Sequence, residues 1–197
     1  DGKYQGYSLK EYIETVGKEA VGTKGFALDD FPILIKLIDA KKDLSVQVHP
    51  DDEYAACHVG ADAKTEMWYI LDCNVGAYLY YGFKKDITKQ EYQDAIRSNT
   101  ITDVLNKVPV HKGDVFFIPA GTVHAIGAGI LICEIQQNSN TTYRVYDYDR
   151  RDKDGNKREL HISEALEASN LKKSASFNSA PDGDDVILAQ CDYFTVR

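Results

Sequence analysis

The first place in this sequence where chemistry can be read is a histidine delivered just past the end of a hydrophobic strand. Gly113 to His124 runs GDVFFIPAGTVH. Asp114 to Ile118 is rich in Val, Phe and Ile and predicts a short strand. Pro119, Ala120 and Gly121 break it into a tight turn, and His124 follows after Thr122 and Val123. An imidazole fixed just beyond a corner suits a metal ligand at the mouth of a small β-barrel. A second stretch, Leu44-Ser45-Val46-Gln47-Val48-His49, alternates strictly. Side chains on a strand alternate faces, so Ser45, Gln47 and His49 share one face and Leu44, Val46 and Val48 the other. Glu66 heads a further predicted strand through Leu71. Gln47, His49, Glu66 and His124 therefore form a candidate metal site of nitrogen and oxygen donors. Two imidazoles, an amide oxygen and a carboxylate suit Zn²⁺ with one position open to water or substrate. Mn²⁺ and Fe²⁺ are the alternatives, because two of the donors are oxygen.

These motifs carry a family resemblance. Gly113-x5-Pro119-x-Gly121-x2-His124 resembles the second cupin motif, and Gln47-x-His49 followed by Glu66 resembles the first, with Gln in place of its first His. Together with Lys64-Thr65-Glu66 and the run from Glu134 through Tyr143-Arg144-Val145 to Asp149, the chain is similar to the type I mannose-6-phosphate isomerases. The similarity extends from about Ile33 to Arg151 and continues weakly to the end of the chain. It implies a mainly β fold: a jelly-roll-like cupin barrel with a helical insert and peripheral helices. It also implies one zinc per chain and interconversion of mannose 6-phosphate and fructose 6-phosphate. Arg144 matches the family's active-site arginine, Glu134 a carboxylate near that site, and Ser45 a substrate-contacting serine. Lys64, two residues before Glu66, joins Arg144 as a candidate for both substrate binding and catalysis.

Aldose–ketose interconversion moves a proton between C1 and C2. A metal acting as a Lewis acid stabilises the charge that builds on the sugar oxygens, and a base must reach the carbon-bound proton. Lys64, Glu134 and Arg144 are the candidates for the remaining roles, and the sequence leaves open which group takes the proton. Arg150 and Arg151 are candidate phosphate contacts, with solvated loop arginines as the plainer alternative. A metal-dependent cupin oxygenase and a non-catalytic sugar-binding cupin are the competing functions. Gln47 argues against the first, since iron sites of that kind favour histidine.

Several elements must position these residues. Ser8-Leu9-Lys10-Glu11 and Thr88-Lys89-Gln90-Glu91 read as capping boxes. The first opens a helix in an N-terminal segment, 1–30. The second opens a helical insert at about 88–106 within a metal-binding cupin domain, 31–151. Asp51 or Asp52 is expected to cap a short helix that turns His58 away from the Gln47–His49 face. Residues 152–197 are expected to hold a helix capped by Ser163, a polar linker over 172–185, and the start of a largely missing second cupin, because Tyr193-Phe194-Thr195-Val196 resembles that domain's opening strand.

The net charge of −8 disfavours nucleic acid as a partner. An anionic sugar phosphate then needs a local basic cluster set against that field. No apolar run is long enough to span a membrane, and the first residues do not resemble a signal peptide. The four cysteines include no C-x-x-C pair and read as reduced thiols of a cytoplasmic protein.

Overall fold

A computed structural model describes residues 2–22, 31–174, 183 and 185–197. Two antiparallel sheets face one another. The first, of four strands, contains β1 (Ile33–Ala40), β3 (Glu66–Cys73), β6 (Val115–Ile118) and β8 (Ile130–Gln137), in the order β1-β8-β3-β6. The second, of five strands, contains β2 (Val46–Val48), β4 (Tyr78–Phe83), β5 (Leu105–Pro109), β7 (His124–Ile126) and β9 (Tyr143–Tyr146), in the order β5-β4-β7-β2-β9. The mainly β cupin barrel expected from the motifs is the fold observed.

The period of two along the strands decides what fills the space between the sheets. On β8, Ile130 and Ile132 are buried in the interior cluster, and the same face then carries Glu134 and Gln136. On β3, Ile70 and Trp68 give way to Glu66. On β1, Ala40 and Ile38 give way to Lys36. Each strand changes from apolar to polar at the same level, so the barrel has a dry end and a polar end. The dry end is closed by Leu79, Phe116, Ile118 and Ile126, and each such fully buried side chain contributes about 1.5–3 kcal/mol. Trp68 marks the boundary, fully buried, with its indole Nε1 donating to Glu134 Oε2 at 2.9 Å.

Helices cover the outer face of the five-stranded sheet. The insert holds α3 (Lys89–Arg97) and α4 (Ile101–Val104), introduced after α1 (Leu9–Val16) and α2 (Asp52–Cys57). Tyr92, Ala95 and Ile96 of α3 are buried with Val46, Val48, Phe83, Ala125 and Val145. The capping boxes at Ser8 and Thr88 both form. The outer face of the other sheet packs Met67 and Val115 against Ala189 and Phe194. These last residues belong to, or lie between, the short strands β10 (Ala189–Gln190) and β11 (Thr195–Val196).

Three local expectations need correction. The strand expected over Leu44 to His49 is only β2, so the strict alternation stops at Val46. Leu44 packs with the barrel interior and not with Val46 and Val48. The helix expected to be capped by Ser163 is α5 (Ile162–Ala168), and its cap is His161, with no side-chain capping bond. The helical insert expected over about 88–106 ends earlier, because β5 begins at Leu105, directly after α4. Residues 23–30 of the N-terminal segment, and 175–182 and 184 of the polar linker, lie outside the described residues. Among the described residues no helix is long and apolar enough to cross a membrane.

Candidate functional site

Two rows of inward-facing residues, one from each sheet, build the site at the polar end of the barrel. In the five-stranded sheet, Gln47 pairs with Arg144 on one side and with His124 on the other, which gives the row Arg144–Gln47–His124. In the four-stranded sheet, Glu134 pairs with Lys36 and with Trp68, and Glu66 lies on the same face one step further along β3.

The turn before His124 is tied to the second histidine. Gly121 has φ +81°, a conformation favoured by glycine. Its N–H donates to the His49 carbonyl at 2.8 Å, and its own carbonyl accepts from Asn170 N–H at 2.8 Å. Lys64 N–H donates to the Pro50 carbonyl at 3.0 Å. The end of β2 is thus held between the two segments that deliver His124 and Lys64.

The donor atoms of His49, Glu66 and His124 all lie within 4.8 Å of one another, and all three side chains are buried. His49 Nε2 is 3.2 Å from Glu66 Oε1, and His124 Nε2 is 3.6 Å from Glu66 Oε2. Each ring is oriented by its other nitrogen. His49 Nδ1 donates to the Thr141 carbonyl and His124 Nδ1 to the Thr122 carbonyl, both at 2.8 Å. A carbonyl can only accept, so both Nδ1 atoms carry the proton. In the neutral rings, Nε2 then offers a lone pair to the cluster. Burial pushes the His124 imidazolium down to about 4 despite the Glu66 carboxylate beside it, so this ring is neutral at pH 7. Burial opposes the charge on Glu66. His49, His124 and Lys64 outweigh that effect and hold the carboxyl well below its ordinary range.

This donor set fits a divalent metal. Glu66 is fully buried, yet neither of its oxygens receives a hydrogen bond of acceptable direction, although Lys64 Nζ approaches Oε1 to 2.7 Å. A buried carboxylate left in that state is costly unless a cation completes it. Gln47 presents its amide nitrogen to His124 Nε2 at 3.4 Å. A half-turn of the amide exchanges this nitrogen for the oxygen that a metal would require.

A cavity of about 460 Å³ opens beside the cluster, lined by Lys36, Ser45, Gln47, Lys64, His124, Glu134, Arg144 and Arg158 among others. Ser45, Gln47, Lys64, His124, Glu134 and Arg144 line this cavity, and His49 and Glu66 join them through the cluster with His124. Lys64 is buried, with Nζ 3.3 Å from His49 Nε2. Glu134 accepts from Trp68 and from Lys36 Nζ, the latter at 2.9 Å. Arg144 Nη1 donates to the Glu159 carbonyl at 3.1 Å, while its buried Nε has no hydrogen-bond partner. Burial, reinforced by Arg158, shifts the Arg144 pKa down.

Arg150 and Arg151 do not reach the cavity. Arg150 is bound to Asp147 and to the Asp43 carbonyl, and Arg151 to the Gly155 carbonyl. Their place is taken by two residues the sequence did not single out. Lys36 had a signal: it is the one lysine in an apolar run, and strand alternation sets it on the same face as Leu34 and Ile38. Arg158 had none, since it arrives from an irregular segment. His58, as expected, stands apart from the cluster, stacked on Tyr54 and 3.5 Å from Glu167.

Known proteins share both the sequence and this fold. Residues 1–74 match the family model described as phosphomannose isomerase type I, catalytic domain. The chain is 43% identical over 202 residues to mannose-6-phosphate isomerase ManA of Bacillus subtilis (strain 168), covering 100% of this chain and 63% of that protein. It is 41% identical over 201 residues to the mannose-6-phosphate isomerase of Streptococcus mutans, covering 100% of this chain and 62% of that one. The crystal structure of the mannose 6-phosphate isomerase from Bacillus subtilis superposes with a TM-score of 0.85 at 37% identity, covering 99% of this chain and 63% of that chain. The chain thus spans less than two thirds of the length of these relatives. The apo mannose 6-phosphate isomerase of Salmonella typhimurium shares the fold at a TM-score of 0.67 and 16% identity, covering 96% of this chain and 69% of that chain. In sequence and in fold, this chain is similar along its whole length to the type I phosphomannose isomerases.

Proposed function

We propose that this chain carries a metal-dependent aldose–ketose isomerase centre that interconverts mannose 6-phosphate and fructose 6-phosphate by proton transfer between C1 and C2. The observation that carries this reading is the buried His49–Glu66–His124 set, with its unsatisfied carboxylate, opening into a cavity walled by four cationic side chains. The names of the relatives supply the sugar.

Zn²⁺ is the ion we assign, held by His49, Glu66, His124 and the Gln47 amide oxygen. One carboxylate among neutral ligands leaves the site a net positive charge. When bound, such an ion polarises the sugar carbonyl and stabilises negative charge on the neighbouring oxygens. The residues of the chain do the rest. Thr141 and Thr122 fix the imidazoles through their carbonyls. Arg144 directs an otherwise unpartnered Nε–H at the oxygens where charge develops. Ser45 contacts the substrate. Glu134, held by Trp68 and Lys36, and Lys64, held against Glu66, are the two groups placed to take up and return the carbon-bound proton. A phosphorylated sugar as substrate, with all four cysteines unpaired, favours the cytoplasm as the compartment.

Turnover in D₂O tests the proton-transfer step. Deuterium from solvent is expected at C1 of fructose 6-phosphate or C2 of mannose 6-phosphate, read by NMR. Turnover with no incorporation would indicate direct hydride transfer and overturn this step.

A further inference from the structure

The polar end of the barrel carries more positive charge than a ligand set and a proton-transfer group require. Three guanidinium groups, Arg144, Arg150 and Arg158, surround a single nearly buried carboxylate, Asp147. This leaves a local excess of positive charge in a chain of net charge −8. The three arginines are not equivalent. Arg150 is used internally: its Nε donates to Asp147 Oδ1 at 3.1 Å and its Nη1 to the Asp43 carbonyl at 2.6 Å. Arg144 is anchored on the Glu159 carbonyl and sits beside Gln47. Arg158 is gripped along one edge only. Its Nε donates to Asp147 Oδ2 at 2.7 Å and its Nη2 to Oδ1 of the same carboxylate. A guanidinium has five N–H donors, so three remain, on a side chain that lines the cavity.

Register places Arg158 away from the metal ligands. β9 runs antiparallel to β2, with Tyr143 opposite Val48, Arg144 opposite Gln47 and Tyr146 opposite Val46. The chain beyond Tyr146 therefore moves toward Ser45 and away from His49. Asp147, and the Arg158 it holds, lie at the Ser45 end of the cavity. His49, Glu66 and Lys64 lie at the other.

We infer that Arg158 binds the phosphate of the substrate at the Ser45 end of the cavity, and that Asp147 is the residue that positions it. This inference rests on the isomerase reading for the identity of the anion. A phosphate dianion matches the excess charge and accepts two parallel N–H bonds from one guanidinium edge. The geometry also separates the two ends of a sugar phosphate, with C1 and C2 toward His124 and Glu66 and the phosphate toward Arg158. Arg158 is half-exposed and Arg150 also binds the Asp147 carboxylate, so that carboxylate keeps a cationic partner when Arg158 is removed and the loss should act on binding.

The test uses Arg158→Ala and Arg158→Lys, each assayed with mannose 6-phosphate and titrated with inorganic phosphate by calorimetry. In Arg158→Ala, KM is expected to rise about tenfold or more, with kcat within about threefold of wild type, and phosphate binding to weaken by a similar factor. Arg158→Lys keeps the charge and is expected to recover part of both, which also controls for folding. Unchanged KM and unchanged phosphate binding in Arg158→Ala, or a fall confined to kcat, would overturn the assignment. If wild type binds phosphate through Arg158 but turns over no sugar phosphate, the isomerase reading fails while the anion site stands.

Discussion

His124→Ala is expected to lose its bound metal and to lower turnover by at least about 100-fold, more than the usual loss when only an outer partner of a ligand is removed. His124 is the candidate ligand on β7, the central strand of the five-stranded sheet, between Gln47 on β2 and Tyr81 on β4. Its Nε2 faces Glu66, its Nδ1 is fixed by Thr122, and its ring packs edge-on to Trp68 at 5.2 Å between centroids. The barrel should survive, because the dry end formed by Ile70, Leu79, Phe116 and Ile132 does not touch the substituted atoms, and Glu66 keeps Lys64 and His49 as neighbours. The loss of one buried side chain is expected to cost about 1–3 kcal/mol. Metal analysis, circular dichroism and a turnover assay read the three quantities separately. Wild-type metal content with wild-type turnover would remove His124 from the site.

Arg144→Ala is expected to keep the metal and still lower kcat by about 100-fold or more, as removal of a preorganised donor to a developing oxyanion does. The Arg144 side chain makes no hydrogen bond to Gln47, His49, Glu66 or His124, the four proposed ligands. Its backbone is clamped to α5 independently of its side chain: its N–H donates to His161 Nδ1 at 3.2 Å and its carbonyl accepts from His161 N–H at 2.8 Å. The strand should therefore stay in place when the guanidinium is removed, with about 1 kcal/mol lost from the bond to Glu159. Arg144→Lys is not expected to restore the rate, since an ammonium cannot reach Glu159 and aim a second N–H into the cavity at once. Loss of metal in Arg144→Ala would mean that the residue supports the metal site, and undiminished kcat would remove it from the chemistry.

The two variants probe the part of the site that was most legible in the sequence. The candidate ligands sit on or beside strands whose neighbours are apolar, so Gln47, Glu66 and His124 stand out against the strand period, and the Pro119–Gly121 turn fixes where His124 must fall. Period alone overreached at Leu44, because β2 has only three residues and nothing local announces where a ladder begins. It also underused what it had at Lys36, whose partner Glu134 lies on β8, paired with β1 across nearly the length of the sheets. The helix cap shows a different failure. Ser163 has the better capping chemistry, yet the chain enters α5 at His161, because that histidine is bound to Arg144 through its backbone and its ring. Arg158 was invisible for a related reason. Its position is set by the Asp147 carboxylate and not by any repeat, and Arg150 and Arg151, closer in sequence to the aromatic strand, offered a simpler guess that the hydrogen bonds to Asp147, Asp43 and Gly155 do not support.

The most direct test of the central claim is a coupled assay of mannose 6-phosphate isomerisation by the purified protein, first after dialysis against a chelator and then with zinc restored. The account predicts turnover that falls with the chelator and returns with about one Zn²⁺ per chain. Full turnover in the metal-free protein would contradict it, as would a folded protein that takes up zinc at His49, Glu66 and His124 and yet leaves the sugar phosphate unchanged.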